Sequence, residues 1–255
     1  MKHSLTDRMK AIALSALAAV PLFVLAPIGV QAQASISIDG DPCGPHGNAK
    51  ENSKEWQQNV FKNRWESPTQ VTELDINDLV DGSATKEKYT NAMAVELVGY
   101  VESVTWGSKE TCNCQTGKSL FQDTHMEITP SSSQTGPQFR VSVEVTPRLR
   151  QIMDRQYGED WTSPTLKREY LHHMVRVQGW MFYDNSHENV DFANDPQDVK
   201  GDNRRATSWE IHPVTYLEVM DEEFADGDGG GDDDDDGIGT SGSVTYPPSP
   251  AHIQP

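Results

Sequence analysis

Phe139-Arg-Val-Ser-Val-Glu-Val-Thr-Pro-Arg-Leu149 is the stretch on which the fold turns. From Phe139 to Val145 apolar and polar residues alternate with the period of two that a half-buried strand requires, so Val141 and Val143 share one face and Arg140 and Glu144 a different one. At Thr146 the pattern changes. Threonine followed by proline supplies a helix cap and a first-turn residue whose missing N–H is not needed there. Leu149, Ile152 and Met153 continue at helical spacing to a stop near Gly158, and Ser163-Pro164 opens a second short helix with Leu166, Tyr170 and Leu171.

Working outward, two more strands precede this turning point and two follow it. A long strand is expected over 94–106, where Gly99 suggests a bend or bulge, and a second over 125–129. Beyond the helices a fourth strand covers 174–182, with Val175, Val177, Gly179 and Met181 on one side. A fifth covers 206–219, where Pro213 marks a bend or an edge. Three strands, helices, then two strands is the order of the oligonucleotide/oligosaccharide-binding (OB) fold. A sandwich would need more strands. The expected fold class is therefore mainly β: a five-stranded OB-fold-like Greek-key barrel over 93–220, with helices between strands three and four.

Residues 35–92 should form an N-terminal segment with one helix. Asn52 or Ser53 caps it, Trp56, Val60 and Phe61 line one side, and Pro68 ends the segment. Residues 35–48 are rich in Gly and Pro and read as irregular, a short turn is expected around 74–79, and 184–203 reads as a long polar loop. At the start of the chain, Lys2, Arg8 and Lys10 precede an apolar run from Ala11 to Val30 and small-residue cleavage patterns ending at Ala32 and Ala34. Residues 1–34 thus read as a secretory signal, which implies a periplasmic or extracellular protein; a membrane-anchoring helix is the alternative, although Pro21 and Pro27 interrupt it. Residues 221–255, with five consecutive aspartates from Asp232 to Asp236, read as a disordered tail.

Charge narrows the partners. Of the net −18, residues 221–255 contribute −10 and residues 1–34 contribute +2, which leaves −10 on residues 35–220. An acidic domain disfavours broad binding to a nucleic-acid backbone, whose phosphates select basic surfaces. Only a local groove from Arg148, Arg150 and Arg155, or from Arg204 and Arg205, would offer one. Three cysteines in an exported chain suggest one disulfide and one free thiol; Cys112 and Cys114 could close on each other, or one of them could reach Cys43.

Several ordered motifs, Glu110-Thr-Cys-Asn-Cys114, Asp123-Thr-His-Met-Glu127, Val143-Glu-Val-Thr-Pro147, Gly179-Trp-Met-Phe-Tyr-Asp184 and Arg205-Ala-Thr-Ser-Trp-Glu-Ile-His-Pro-Val-Thr215, resemble those of an uncharacterised family of exported bacterial proteins with an OB-like barrel. The resemblance spans roughly residues 54–220. It implies an exported barrel domain and assigns no catalytic residue.

In the OB topology strand two pairs with three and three with five. If Met126 and Ile128, Val141 and Val143, and Trp209 and Ile211 face the core, then His125, Glu127, Glu144, Glu210 and His212 share the other face. Imidazoles and carboxylates on neighbouring strands suit a divalent metal such as zinc or manganese, with His125, Glu127, Glu210 and His212 as candidate ligands. The same residues would also make ordinary cross-strand pairs, each contributing about 0.2–1 kcal/mol. The first expected function is a binding module for an oligosaccharide, peptide or protein, with Arg140, Glu144, Trp180 and Tyr183 as candidate contacts and Trp106, Trp161 and Phe182 as further aromatic surfaces. The alternative is a metal-dependent hydrolase of phosphoesterase or nuclease type, in which Arg140 neutralises developing charge. His46, His172, His173 and His187 read as residues outside any site.

Overall fold

A computed structural model describes residues 36–38, 40–198 and 200–220. The expected signal segment and aspartate-rich tail lie outside them. Eight strands are present among the described residues: β1 (Ile36–Ile38), β2 (Asp41–Cys43), β3 (Thr72–Glu73), β4 (Ala94–Trp106), β5 (Thr124–Thr129), β6 (Val141–Val145), β7 (Met174–Tyr183) and β8 (Trp209–Val219). The α-helices are α1 (Lys54–Lys62), α2 (Asn77–Val80), α3 (Pro147–Ile152) and α4 (Ser163–Tyr170).

Strands β4 to β8 close into a barrel in the order β4-β5-β6-β8-β7, with β7 returning to β4. The length of β4 is what allows closure. Its first half, Ala94 to Tyr100, pairs antiparallel with β7, and its second half, Tyr100 to Trp106, pairs antiparallel with β5. All barrel pairings are antiparallel except β6 with β8, which run parallel. Helices between the third and fourth barrel strands complete the OB-like order, and β3 adds a short parallel edge to β4. The bulge in β4 falls between Val101 and Ser103, not at Gly99.

Side-chain parity follows the alternation. Met126, Ile128, Val141, Val143, Val175, Val177, Met181, Trp209 and Ile211 are all buried in one apolar core, joined by Met153, Trp161 and Leu166 from the helical stretch. The helix starts are also where the caps place them: Ser53 Oγ accepts from Trp56 N, and Thr146 Oγ1 accepts from Leu149 N. A short π-helical turn extends α3 to Gly158.

Gly179 occupies the tightest crossing of the barrel. A Cβ there would lie 2.4 Å from Pro213 O and 2.5 Å from Ile211 Cγ2, at the point where the β7–β8 register shifts. Backbone cannot move aside as a flexible side chain can. Gly179→Ala is expected to destabilise the chain by about 1–3 kcal/mol or more, read as a lower melting temperature; an unchanged midpoint would show that the crossing is slack.

Two expectations on the N-terminal half are corrected. The Gly/Pro-rich start is a small hairpin, β1 paired with β2, whose Ile36 and Ile38 pack with Cys43, Cys114 and Phe121. Helix α1 does not dock by Trp56, Val60 and Phe61, which are only half-buried; it buries Asn59 and Lys62, followed by Asn63. That polar face is satisfied by specific acceptors: Asn59 donates to His46 O at 2.8 Å and Thr111 Oγ1 at 3.1 Å, and Asn63 to Pro45 O at 2.9 Å and Cys112 O at 3.0 Å. Cys43 bonds to Cys114, and Cys112 is the buried free thiol. The basic clusters form no groove, because Arg148, Arg150 and Arg205 are buried. Arg148 and Arg150 donate mainly to backbone carbonyls, including Gly44 O at 2.6 Å and Leu120 O at 2.7 Å.

The long loop after β7 is pinned at Asp184, whose carboxylate accepts from Ser186 and lies 2.7 Å from His187 Nδ1. Burial opposes its charge, but the hydrogen bond with His187, the Lys62 ammonium and Ser186 outweigh it and hold the carboxyl well below its usual range. A depressed folded-state value means the stabilisation is complete above the unfolded carboxylate range, near pH 4, and is lost as pH falls through the folded value. Asp184→Asn is expected to cost about 1–3 kcal/mol at neutral pH and to make stability less sensitive to acid below pH 4. Parallel acid-unfolding curves for the two chains would refute this.

Candidate metal centre

The outer wall of β5, β6 and β8 is where the imidazoles and carboxylates meet, and the register explains how. His125 pairs with Glu144, and Glu127 with Ser142, across β5 and β6. On the other side Val143 lies beside Ile211, which sets Glu144 next to His212 and Ser142 next to Glu210. Two rows result: His125–Glu144–His212, and Glu127–Ser142–Glu210.

The first row is in direct contact. Glu144 Oε2 lies 3.3 Å from His125 Nε2 and 3.0 Å from His212 Nδ1, and Glu110 Oε1 is 4.0 Å from His125 Nε2. Asp123, two residues before His125, shares its face and joins the cluster; its Oδ2 accepts from Asn113 at 2.9 Å. Gly107 permits the His125 pose, since a Cβ there would sit 2.9 Å from His125 Nε2. The second row has other partners, although Glu127 Oε2 is also buried without a hydrogen-bond partner. Ser142 donates to Glu127 at 2.7 Å, and Arg205 donates to Glu210 at 2.8 Å while Glu210 Oε1 lies 3.2 Å from His212 Nδ1.

This regroups the expected ligands. His125 and His212 lie in the cluster, whereas Glu127 and Glu210 stand one row away, occupied by Ser142 and Arg205. Glu144, expected as a binding contact, is at the centre, and Asp123 and Glu110 are additions. Period-two reading of β5 would have found Asp123. Glu110 arrives only through the turn that precedes the disulfide, and Lys62, which donates to Glu110 Oε2 at 2.6 Å, only through α1. Neither has a periodic signal.

The wall is also buried, not solvated. Glu144 and His212 are 2% and 0% exposed, beneath α1 and the loop after β4; the His125 and Glu110 side chains, 21% and 22% exposed, form the only open side of the contact set. The other expected contacts do not assemble here. Arg140 makes a two-pronged pair with Glu102 at 3.0 and 2.7 Å. Tyr183 and Trp161 are in the core, Phe182 lies buried with its ring edge toward His212, and the Trp180 indole donates to Glu66 O under the Arg64 guanidinium. His46 stacks on Trp56, and His172 contacts Tyr100.

Electrostatics follow from burial and from the excess of acids. Burial opposes charge on His212, yet Glu144 and Glu210 outweigh it and push the imidazole up to about 10. Burial likewise opposes ionisation of Glu144, but the two histidines hold it well below the usual carboxylate range. Asp123 is pushed up to about 6, first by burial and then, against the pull of His212, by Glu110 and Glu144. Burial, then Asp123 and Glu110, raise the Cys112 thiol.

Hydrogen bonding does not satisfy this cluster. His212 Nε2 and Asp123 Oδ1 are buried without a hydrogen-bond partner, and His125 Nε2 and Glu144 Oε2, which also lack one, face each other only as an ion pair at 3.3 Å, with Glu144 Oε2 3.0 Å from His212 Nδ1 as well. Each such atom costs on the order of 1–3 kcal/mol unless something meets it. Potential ligand atoms of Asp123, Glu144 and His212 lie within 4.8 Å of one another, as do those of Glu110, His125 and Glu144, and those of Glu110, Cys112 and Asp123. Such groups are able to hold a metal ion.

No protein-family model matches the chain, and no curated protein matches it. Fold and site together define an OB-like barrel with a buried imidazole–carboxylate cluster on its outer wall. No helix among the described residues is long and apolar enough to cross a membrane.

Proposed function

We propose that the chain is an exported binding barrel whose ligand is a divalent transition-metal ion, zinc or manganese, held by His212, Glu144 and Asp123 with His125 and Glu110 at the open side. One observation carries this reading: the side chains of Asp123, His125, Glu144 and His212 each carry a buried ligand-type atom without a hydrogen-bond partner and fall into groups whose donor atoms lie within 4.8 Å of one another. Nitrogen and oxygen donors in this mixture suit zinc or manganese. The disulfide and the signal-like start support export. An extended polymer across strands two and three is less well supported, because α1 and the loop after β4 cover that wall.

Metal analysis of purified, untagged protein tests it. Stoichiometric zinc or manganese is expected, with affinity falling at least tenfold to a hundredfold in His125→Ala and in His212→Ala. Metal-free protein whose melting temperature ignores added divalent ions would end this reading and leave a binding module of other specificity.

A second reading, metal-assisted hydrolysis, draws on the partial exposure of His125 and Glu110, which leaves one side of the cluster open to a water or a substrate oxygen. Turnover of a generic phosphodiester by metal-loaded protein, abolished in His212→Ala, would support it; no turnover above the metal-free chain would exclude that substrate class.

A further inference from the structure

We infer that the cluster holds two divalent ions side by side, bridged by Glu144. This rests on the metal-binding reading above and goes beyond it in number and arrangement.

The donors sort into separate sets. Asp123, Glu144 and His212 form one, and Glu110, His125 and Glu144 form another, with Glu144 common to both. Ligands bound to a single ion at about 2.0–2.2 Å are no more than about 4.4 Å apart even when opposite each other. Among the described residues no more than three ligand atoms lie even within 4.8 Å of one another, so the five side chains do not converge on one point. The two groups that contain an imidazole share Glu144.

The bridging position is visible in the distances. A single oxygen, Glu144 Oε2, lies between the imidazoles, 3.3 Å from His125 Nε2 and 3.0 Å from His212 Nδ1. Carboxylates placed between two sets of donors are how paired ions about 3.5–4 Å apart are held. Unpartnered buried atoms occur on side chains of both sets: Asp123 Oδ1 and His212 Nε2, the ring nitrogen other than the one facing Glu144, in the inner one, and His125 Nε2 in the outer one. The third group, Glu110, Cys112 and Asp123, links an outer carboxylate to an inner one and closes the ring.

Three carboxylates lie in the two sets, and the Lys62 ammonium donates to Glu110 Oε2, leaving Oε1 turned toward His125. Asp123 and Glu144 have no Lys or Arg within ion-pair distance among the described residues.

The test is a manganese titration of the full chain after chelator treatment, followed by electron paramagnetic resonance. Manganese is chosen because an oxygen-rich site suits it and a thiol does not. Two equivalents are expected, with the signal of an exchange-coupled pair. His125→Ala, at the partly exposed rim, should retain one of them and show an uncoupled signal, and Glu144→Gln should lose both; ions that persist in Glu144→Gln belong elsewhere, the aspartates of 221–236 included, and are subtracted. Circular dichroism checks that each variant is folded. Should Glu144→Gln fail to fold, the drop from coupled to uncoupled ions in His125→Ala decides alone. A single equivalent unaffected by His125→Ala overturns the pair but leaves the single-ion site. No uptake that depends on either residue overturns both.

Discussion

Arg205→Met is expected to destabilise the folded chain by about 3–5 kcal/mol, a fall in melting temperature of roughly 10 °C or more for a chain of this size. The reason lies in Glu210, fully buried on β8, whose Oε2 accepts from Arg205 Nη1 at 2.8 Å; both side chains are almost inaccessible, at 0% and 6%. Methionine fills the volume but removes the guanidinium, leaving Glu210 Oε2 without its donor in a medium that solvates it poorly, with only the His212 imidazole 3.2 Å from Oε1. Glu127 and Glu144, which also feel the guanidinium, would face Glu210 with less compensation. Glu210→Gln in the same chain should recover much of the loss, because a neutral amide tolerates burial beside methionine. Urea unfolding of the four chains of this cycle measures the coupling directly. If Arg205→Met alone costs less than about 1 kcal/mol, the pair behaves as a solvated one and the burial described above is wrong.

The second large effect concerns the cover over the site. Replacing both Cys43 and Cys114 with serine is expected to cost about 2–5 kcal/mol, with a fall in melting temperature of about 10 °C. The bond joins residues 71 apart in sequence, and a closed loop of that length removes about 4 kcal/mol of chain entropy from the unfolded state. Its location adds a functional consequence. Cys114 ends the turn that carries Glu110 and Cys112, and β2 holds that turn against the hairpin while Arg148 donates to Cys43 O and Gly44 O. Loosening it should weaken metal uptake at the outer Glu110–His125 side more than at the inner Asp123–Glu144–His212 side. Both cysteines are replaced together so that Cys112 cannot take over the pairing. A double variant with unchanged stability would show that the N-terminal segment is held by α1 contacts alone.

How much of this was legible beforehand varies by element, and the variation has a physical cause. The barrel strands follow from period-two patterning, because each buries one row of apolar side chains and the two faces differ. β4 begins and ends where alternation places it, and Thr146-Pro147 marks the change to helix by local hydrogen bonding alone. The His125–Glu144–His212 row was legible as a shared face for the same reason. Its partition from Glu127 and Glu210 was not, because parity tells which face a residue joins but not which row. That needed the register between β6 and β8.

Helix α1 was missed in a different way. Its position was readable from the Ser53 cap, but an apolar stripe was expected to dock and a polar one does. Asn59, Lys62 and Asn63 are stable inside only because carbonyls, a hydroxyl and a carboxylate from distant segments are waiting for them. Hydrophobic periodicity cannot register such partners.

Taken alone, the order of residues determined what is local: caps, strand parity, the β-rich class and the face on which imidazoles and acids gather. Tertiary structure alone decided that this face is closed over, that Cys43 takes Cys114, and that Glu110 and Lys62 reach the cluster. Those outcomes depend on contacts between segments far apart in the chain, where burial turns solvated pairs into unsatisfied donors and acceptors able to hold a metal ion.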